Sequence, residues 1–156
     1  MRQIHGVAVK ILVAVDFFPQ TEQVLEIARR MAAALGAKLW LIHAAAPEPA
    51  FKGYGAGARC DRKQLADEYR EEHRLIQEAA EATREAGIEA TGLLVQGPPA
   101  QLILRQADEL EADMIIVGTH GFGAAMSLLL GSISRTVLKK ARCPVLVVPA
   151  GRPESV

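Results

Sequence analysis

Five short, mostly apolar runs, separated by segments with helical spacing, constrain the fold of this chain more than any other feature. The first run is β-branched and apolar on both faces, as expected of a strand buried inside a parallel sheet. The predicted strands are Ile11–Val15, Leu39–His43, Glu89–Val95, Asp113–Val117 and Val145–Val148. Strands that alternate with helices predict an α/β protein with a parallel sheet.

Four segments between the strands have the spacing of amphipathic helices. In the first, Thr21 stands where an N-cap is expected and Gly36 supplies the stop. The predicted helices are Glu22–Leu35, Lys63–Ala86, Ala100–Glu111 and Ser132–Ala141. We therefore predict a single domain over residues 1–156, with a core of about 7–150. Its open five-stranded parallel sheet has the order 3-2-1-4-5 and helices on both faces, a Rossmann-like arrangement.

One connection is long for a domain of this size. Residues Ala44–Arg62 are rich in proline and glycine, and we predict a mobile loop there. Its fragment Gly53–Gly57 lacks the complete spacing of a dinucleotide fingerprint, so we interpret it as part of that loop.

Composition excludes several classes of partner. The chain has 18 basic and 18 acidic residues, so no global field attracts nucleic acid. No apolar run is long enough for a membrane span, and Lys10 interrupts the run that could resemble a signal segment. Cys60 and Cys143 form neither a disulfide framework nor a CxxC pair. We therefore predict a cytoplasmic protein without a metal site of its own.

A glycine-rich stretch after the fourth strand marks the expected ligand site. Gly118 and Gly121 follow the strand end, and Gly131 precedes the helix that begins at Ser132. Glycines allow close approach of the backbone, and a helix N-terminus presents N–H groups to an anion. Asp16 ends the first strand. In a sheet of this order both features lie at the switch point, where ligands bind.

The spacing Gly118-x-x-Gly121, nine residues, then Gly131-Ser132 resembles the ATP-binding signature G-x2-G-x9-G-[S/T] of the universal stress protein family. The resemblance covers essentially the whole chain, from the opening Ile11–Asp16 to the closing Cys143–Pro149. It implies a nucleotide-binding α/β fold, usually a homodimer, that binds ATP, ADP or AMP with Mg²⁺ carried by the nucleotide.

The resemblance also implies roles for individual residues. Asp16 would contact adenine or ribose, Ala14 would lie beneath the base, and Ala44 would offer its backbone to the adenine edge. Val117 and Gly118 would follow the ribose, and the later glycines and serines would surround the phosphates. The predicted cofactor-binding residues are Ala14, Val15, Asp16, Ala44, Val117, Gly118, His120, Gly121, Gly131, Ser132, Ile133 and Ser134.

Three local features leave alternatives open. His120 could touch phosphate or activate water, or could only orient its turn, so we assign no catalytic residue. Many relatives have Ser or Thr soon after the strand-one Asp; here Phe17 and Phe18 follow, and they could cover the base or pack beneath the loop. The loop 122–130 is predicted to be a mobile, partly helical flap. His43 is interpreted as a satisfied interior histidine.

The last strand predicts how the protein assembles. Val145, Leu146, Val147 and Val148 are apolar on both faces at the sheet edge, which predicts a homodimer through this strand.

The favoured function is that of a nucleotide-binding regulatory protein in the stress response, with at most slow ATP hydrolysis. The alternatives are an ATPase or phosphotransferase, which needs a cationic clamp that the motif lacks, and a structural dimer that binds no nucleotide.

Overall fold

A five-stranded parallel sheet forms the centre of the molecule. The structure, a computed structural model, describes residues 7–45, 56–119 and 131–149, and the side chains of all of these except 56–61. The elements are β1 (Lys10–Ala14), α1 (Thr21–Leu35), β2 (Lys38–Ala45), α2 (Ala56–Glu85), β3 (Ala90–Gln96), α3 (Pro99–Leu110), β4 (Met114–Gly118), α4 (Ser132–Lys140) and β5 (Val145–Val148). The strand order is β3-β2-β1-β4-β5, with every pairing parallel. The predicted fold class and strand order are confirmed.

Alternation along β1 divides the core between the two faces of the sheet. Ile11 and Val13 are completely buried on the face covered by α1 and α2. Leu12, also completely buried, points to the opposite face, against α3 and α4. Both faces of a central strand are therefore apolar, which explains why its sequence shows a continuous apolar run and no polar alternation.

Two glycines have clear structural roles: Gly92 allows a close contact between α2 and the sheet, and Gly36 forms the turn that ends α1. A Cβ added at Gly92 in β3 would lie 2.8 Å from the backbone oxygen of Ile76, so the absence of a side chain lets α2 pack directly on the sheet. Gly36 ends α1 in the left-handed conformation with φ of 62°, as predicted from its position.

Two local predictions are wrong. The segment predicted as a loop from Ala44 to Arg62 has regular secondary structure at both ends, because β2 continues to Ala45 and α2 begins at Ala56, and residues 46–55 lie outside the described residues. Thr21 is not the N-cap of α1: Gln20 occupies that position without a side-chain cap, and the Thr21 hydroxyl donates to Asp16 Oδ1 at 3.0 Å. A side-chain hydrogen bond within the turn after β1 has replaced capping of the helix.

The described ranges contain no helix that combines the length and the apolar character needed to cross a lipid bilayer.

Candidate functional site

A cavity of about 570 Å³ lies outside the carboxyl ends of the strands, where the strand order predicts a ligand. Its walls come from the ends of β1, β2 and β4, the starts of α3 and α4, and one side chain of α2. Eight of the twelve predicted site residues line it, namely Ala14, Val15, Asp16, Ala44, Val117, Gly118, Ile133 and Ser134. Gly131 and Ser132 lie beside it at the start of α4. His120 and Gly121, like the predicted flap 122–130, lie outside the described residues.

The first turn of α4 and the end of β4 form one end of the cavity, which we call the anion end. Gly131 is the N-cap and provides no side-chain cap. Within the part of the chain that the structure describes, no acceptor contacts the N–H groups of Ser132, Ile133 and Ser134. These N–H groups and the helix dipole give this end a partial positive charge.

Hydrogen bonds hold the anion end in place. The buried hydroxyl of Ser134 donates to the carbonyl of Gly118 at 2.6 Å, and the Gly131 N–H donates to the carbonyl of Thr119 at 3.0 Å. The Ser134 hydroxyl therefore donates its hydrogen to the protein itself and not to a ligand. The donor that Ser134 directs outward from the start of the helix is its backbone N–H. These two hydrogen bonds together fix the start of α4 against the end of β4.

Gly118 has a packing role that the motif did not indicate. A Cβ added there would lie 3.3 Å from Cγ2 of Val24 in α1, which is closer than ordinary van der Waals contact. The nearest obstacle to a side chain is therefore a residue of α1 almost a hundred positions earlier in the chain.

Asp16, just beyond β1, also lines the cavity. Its Oδ1 accepts hydrogen bonds from the Phe18 N–H at 3.1 Å and from the Thr21 hydroxyl at 3.0 Å. No donor among the described residues contacts Oδ2, so one carboxylate oxygen remains available to a ligand. Asp16 combines a structural role in its turn with an acceptor facing the cavity.

The two phenylalanines after Asp16 have separate positions. Phe17 adopts a left-handed backbone with φ of 59° and packs against the core, with its ring centroid 4.7 Å from that of His43. Phe18 lines the cavity and is 39% exposed. Of the two open interpretations, packing therefore applies to Phe17, and contact with the cavity applies to Phe18.

His43 is buried beside the cavity, as predicted for an interior histidine. Its Nδ1 lies 2.7 Å from the carbonyl oxygen of Val15, which can only accept, so Nδ1 carries the hydrogen. Its Nε2 lies 3.4 Å from Oε1 of Glu72, an ion pair whenever the imidazole is protonated. Glu72 also lines the cavity, although sequence analysis did not select it. One carboxylate within a highly charged helix carries no local signal of such a position.

The backbone N–H and carbonyl groups of Ala44 are available to a ligand because β1 ends before β2 does. Residues of β2 alternate between neighbours: the Lys38 N–H donates towards β1 and the Leu39 N–H towards β3. By this alternation Ala44 faces β1, which has already ended at Ala14. No partner among the described residues takes the N–H or the carbonyl of Ala44. We call Asp16, His43, Ala44 and Glu72 together the acidic end.

An apolar wall connects the two ends. Ile42, Ile103, Pro98 and Pro99 line the cavity, and Gly97 turns the chain from β3 into α3 with φ of 136°. The Gly97 N–H donates to the carbonyl of Ala45 at 3.1 Å, which fixes this turn against β2. Flat apolar surface flanked by a few polar groups is typical of small-molecule sites.

Ionisable groups with perturbed pKa values lie outside the cavity. Burial raises the pKa of the Cys143 thiol, and hydrogen bonding from Arg74 lowers the pKa of the exposed Glu71 carboxyl. Across the residues described, no group of three or more His, Cys, Asp or Glu side chains is arranged to hold a metal ion.

Comparisons with known proteins agree on one family. Residues 9–149 match the model of the universal stress protein family. The universal stress protein in the QAH/OAS sulfhydrylase 3′ region of Thermus aquaticus is 36% identical over 144 residues, covering 88% of this chain and 96% of its own.

Solved structures support the same fold. MJ0577, a universal stress protein of Methanocaldococcus jannaschii, has a TM-score of 0.77 at 26% identity and covers 95% of this chain and 100% of its own. A universal stress protein from Archaeoglobus fulgidus, solved in complex with dAMP, has a TM-score of 0.61 at 24% identity and covers 91% and 98%. At that identity, the second likeness concerns the fold.

Proposed function

This chain belongs to the universal stress protein family, and from that premise we propose that its cavity binds an adenine nucleotide, with ATP or its products ADP and AMP as the ligands. One observation carries the proposal: the cavity is polarised, with N–H donors at one end and carboxylates at the other. A nucleotide has the complementary polarity, because its phosphates are anionic and its ribose and amino groups donate hydrogen bonds. The Archaeoglobus fulgidus relative in complex with dAMP is consistent with such a ligand.

The phosphates would bind at the anion end. Ser132, Ile133 and Ser134 present their N–H groups there, and charge-assisted bonds from N–H groups to phosphate are among the stronger hydrogen bonds in proteins. Gly121, Gly131 and His120 would complete the phosphate contacts, as the family resemblance implies. Mg²⁺ would arrive with the nucleotide and would offset part of the phosphate charge.

The nucleoside would bind towards the acidic end. Asp16 Oδ2 would accept from a ribose hydroxyl, and Ala14, Val15, Val117 and Gly118 would lie along the sugar and base. Adenine presents a donor, its amino group, beside an acceptor, N1. The carbonyl and N–H of Ala44 offer the complementary pair.

Such a site fits a nucleotide-dependent regulatory protein of the stress response better than a rapid enzyme. Backbone N–H groups bind ground-state phosphates well, whereas fast phosphoryl transfer adds a cationic clamp and a positioned base. We expect hydrolysis, if measured, to be slower than about one turnover per minute, against about 1–10³ per second for ordinary enzymes. Steady turnover at enzyme rates would favour the ATPase alternative.

The proposal extends to assembly and location. We propose that residues 1–156 form one domain, that β5 pairs with its own copy in a homodimer, and that the protein acts in the cytoplasm. β5 pairs with β4 on one side, and Val145, Leu146 and Val147 retain partial exposure. An apolar edge strand with unpaired backbone groups is a surface that natural proteins cover.

Thermal unfolding with and without ATP–Mg²⁺ tests the nucleotide proposal directly. At a ligand concentration about 100-fold above Kd, binding stabilises the folded state by about 2.7 kcal/mol. For a chain of this length, the midpoint should rise by roughly 5–10 °C. Inorganic phosphate at equal concentration is the control for a simple anion effect. Absence of a shift with ATP, ADP and AMP would contradict the proposal.

A further inference from the structure

Glu72 is the one side chain of α2 that lines the cavity in the described part of the chain. Its side chain is 33% exposed, and its Oε1 lies 3.4 Å from Nε2 of His43. No described residue contacts its Oε2. This carboxylate therefore lies beside a buried histidine, with which it pairs when the imidazole is protonated, and keeps an acceptor available towards the ligand.

The strand order places Glu72 far from the anion end. α2 packs on β2 and β3: the side chain of Gln77 donates to the Gly92 carbonyl at 3.2 Å, and Glu72 faces His43 of β2. β4, which leads towards α4, is separated from β2 by β1. Two inter-strand spacings amount to about 10 Å. A nucleotide whose phosphates meet α4 thus directs its base, the group most distant from the phosphates, towards Glu72.

We propose that Glu72 is a specificity-determining residue that accepts a hydrogen bond from the 6-amino group of adenine. This inference rests on the nucleotide-binding function proposed above. The amino group carries two hydrogens; one suits the carbonyl of Ala44, and the other suits the carboxylate. A purine with a carbonyl at position 6 places an acceptor against an acceptor, and an unmatched polar group in a partly buried site costs about tenfold in affinity or more. The carboxylate also repels phosphate, which excludes the reversed orientation.

His43 acts as a positioning residue for this carboxylate. Its ring is fixed by the Val15 carbonyl on one side and by the Phe17 ring on the other. When the imidazole carries hydrogens on both nitrogens, it pairs with Glu72 and holds this carboxylate at a defined place, although a side chain on a helix surface would otherwise sample several rotamers. His43 thereby connects Glu72, which would recognise the base, to the end of β1 beside Asp16.

Isothermal titration of three triphosphates tests the proposal. ATP, purine riboside triphosphate and inosine triphosphate carry an amino group, a hydrogen and a carbonyl, respectively, at position 6. For the unmodified protein we expect ATP to bind tightest and inosine triphosphate to bind at least about tenfold more weakly. In Glu72→Gln, the amide can donate to a carbonyl, so inosine triphosphate should gain affinity and the ratio should fall about tenfold.

Glu71→Gln is the matched control. It removes the same charge from the adjacent position, where the carboxylate is exposed and paired with Arg74. We expect its ratio of affinities to equal that of the unmodified protein. A gain for inosine triphosphate in Glu72→Gln alone supports the proposal, because partial unfolding cannot increase an affinity.

Two results would overturn the proposal in distinguishable ways. Tight ATP binding with the same ratio in Glu72→Gln as in the unmodified protein would leave nucleotide binding intact and remove Glu72 from specificity. Failure of all three triphosphates to bind to the unmodified protein would remove both this proposal and the proposed function.

Discussion

The anion end and the acidic end of the cavity present different kinds of atoms to a ligand. At the anion end, backbone N–H groups of the first turn of α4 face outward, and the buried Ser134 hydroxyl is used to fix that turn to Gly118. At the acidic end, the side chains of Asp16 and Glu72 provide the acceptors. Backbone donors depend on the shape of the chain, whereas side-chain acceptors depend on residue identity. Affinity and selectivity should therefore respond to different substitutions.

Introducing a negative charge at the anion end should have the largest effect. In Ser132→Glu the carboxylate lies at the start of α4, where it repels phosphate and competes for the same N–H groups. We expect nucleotide affinity to fall about 100-fold or more, because two charges about 4 Å apart near a protein surface interact by several kcal/mol. The measurement is the ATP-dependent shift of the unfolding midpoint.

The same substitution should not harm the fold. A carboxylate near a helix N-terminus stabilises the helix by about 0.3–1 kcal/mol, so the ligand-free midpoint should stay or rise. Ser132→Gln, similar in size but neutral, should keep most of the shift with ATP. An undiminished shift in Ser132→Glu would show that phosphates do not bind there.

Changes at Asp16 should have an intermediate effect and should separate its two roles. Asp16→Ala removes the acceptor for Phe18 and Thr21 as well as the one facing the cavity. We expect an affinity loss of about tenfold together with a lower ligand-free midpoint, by about 2–4 °C for each kcal/mol lost.

Asp16→Asn is the matched comparison for that experiment. Its amide oxygen can keep both hydrogen bonds within the turn, while the amide nitrogen that replaces Oδ2 is a donor that opposes ribose hydroxyl hydrogens. The ligand-free midpoint should therefore approach that of the unmodified protein while affinity remains reduced. Equal affinities for Asp16→Asn and the unmodified protein would contradict a ribose contact at this carboxylate.

The smallest expected effect concerns the turn that forms the apolar wall. Gly97→Ala forces a side chain onto a backbone with φ of 136°, which we expect to cost about 1 kcal/mol or more. Because this turn borders the cavity, nucleotide affinity should also fall by a few-fold, as measured by titration.

Gly87→Ala provides the control, since Gly87 has φ of 85° after α2 and does not line the cavity. It should lower the unfolding midpoint without changing affinity. If the two variants lose affinity equally, the turn at Gly97 has no specific role in the site.

Sequence alone predicted the architecture because the relevant signals are local. The apolar run Ile11–Val15 identifies a buried strand by its composition, and Gly36 marks the end of α1 by its position. Both are confirmed. The spacing from Gly118 to Ser132 also indicated where the cavity would lie, since the motif and the strand order refer to the same edge of the sheet.

The features that sequence missed depend on residues distant in the chain. The close approach of Val24 to Gly118 and the position of Glu72 beside His43 both join residues that are far apart in the sequence. One miss is local: the Thr21 hydroxyl bonds to Asp16, five residues earlier, and not to the helix start, so a capping propensity was outweighed by a contact within the turn. The early start of α2 at Ala56 was missed because Gly57 suggested a loop, although a glycine in the first turn of a helix costs little.

The pairing of β1 with β4 also sets the order of events during synthesis. The Lys10 N–H donates to the Asp113 carboxylate across a separation of 103 residues, and the cavity lies between the ends of these same two strands. A ribosome that adds about 5–20 residues per second synthesises β4 roughly 5–20 s after β1. During that interval one edge of the apolar β1 has no partner, so the nascent chain exposes this strand until β4 has been synthesised.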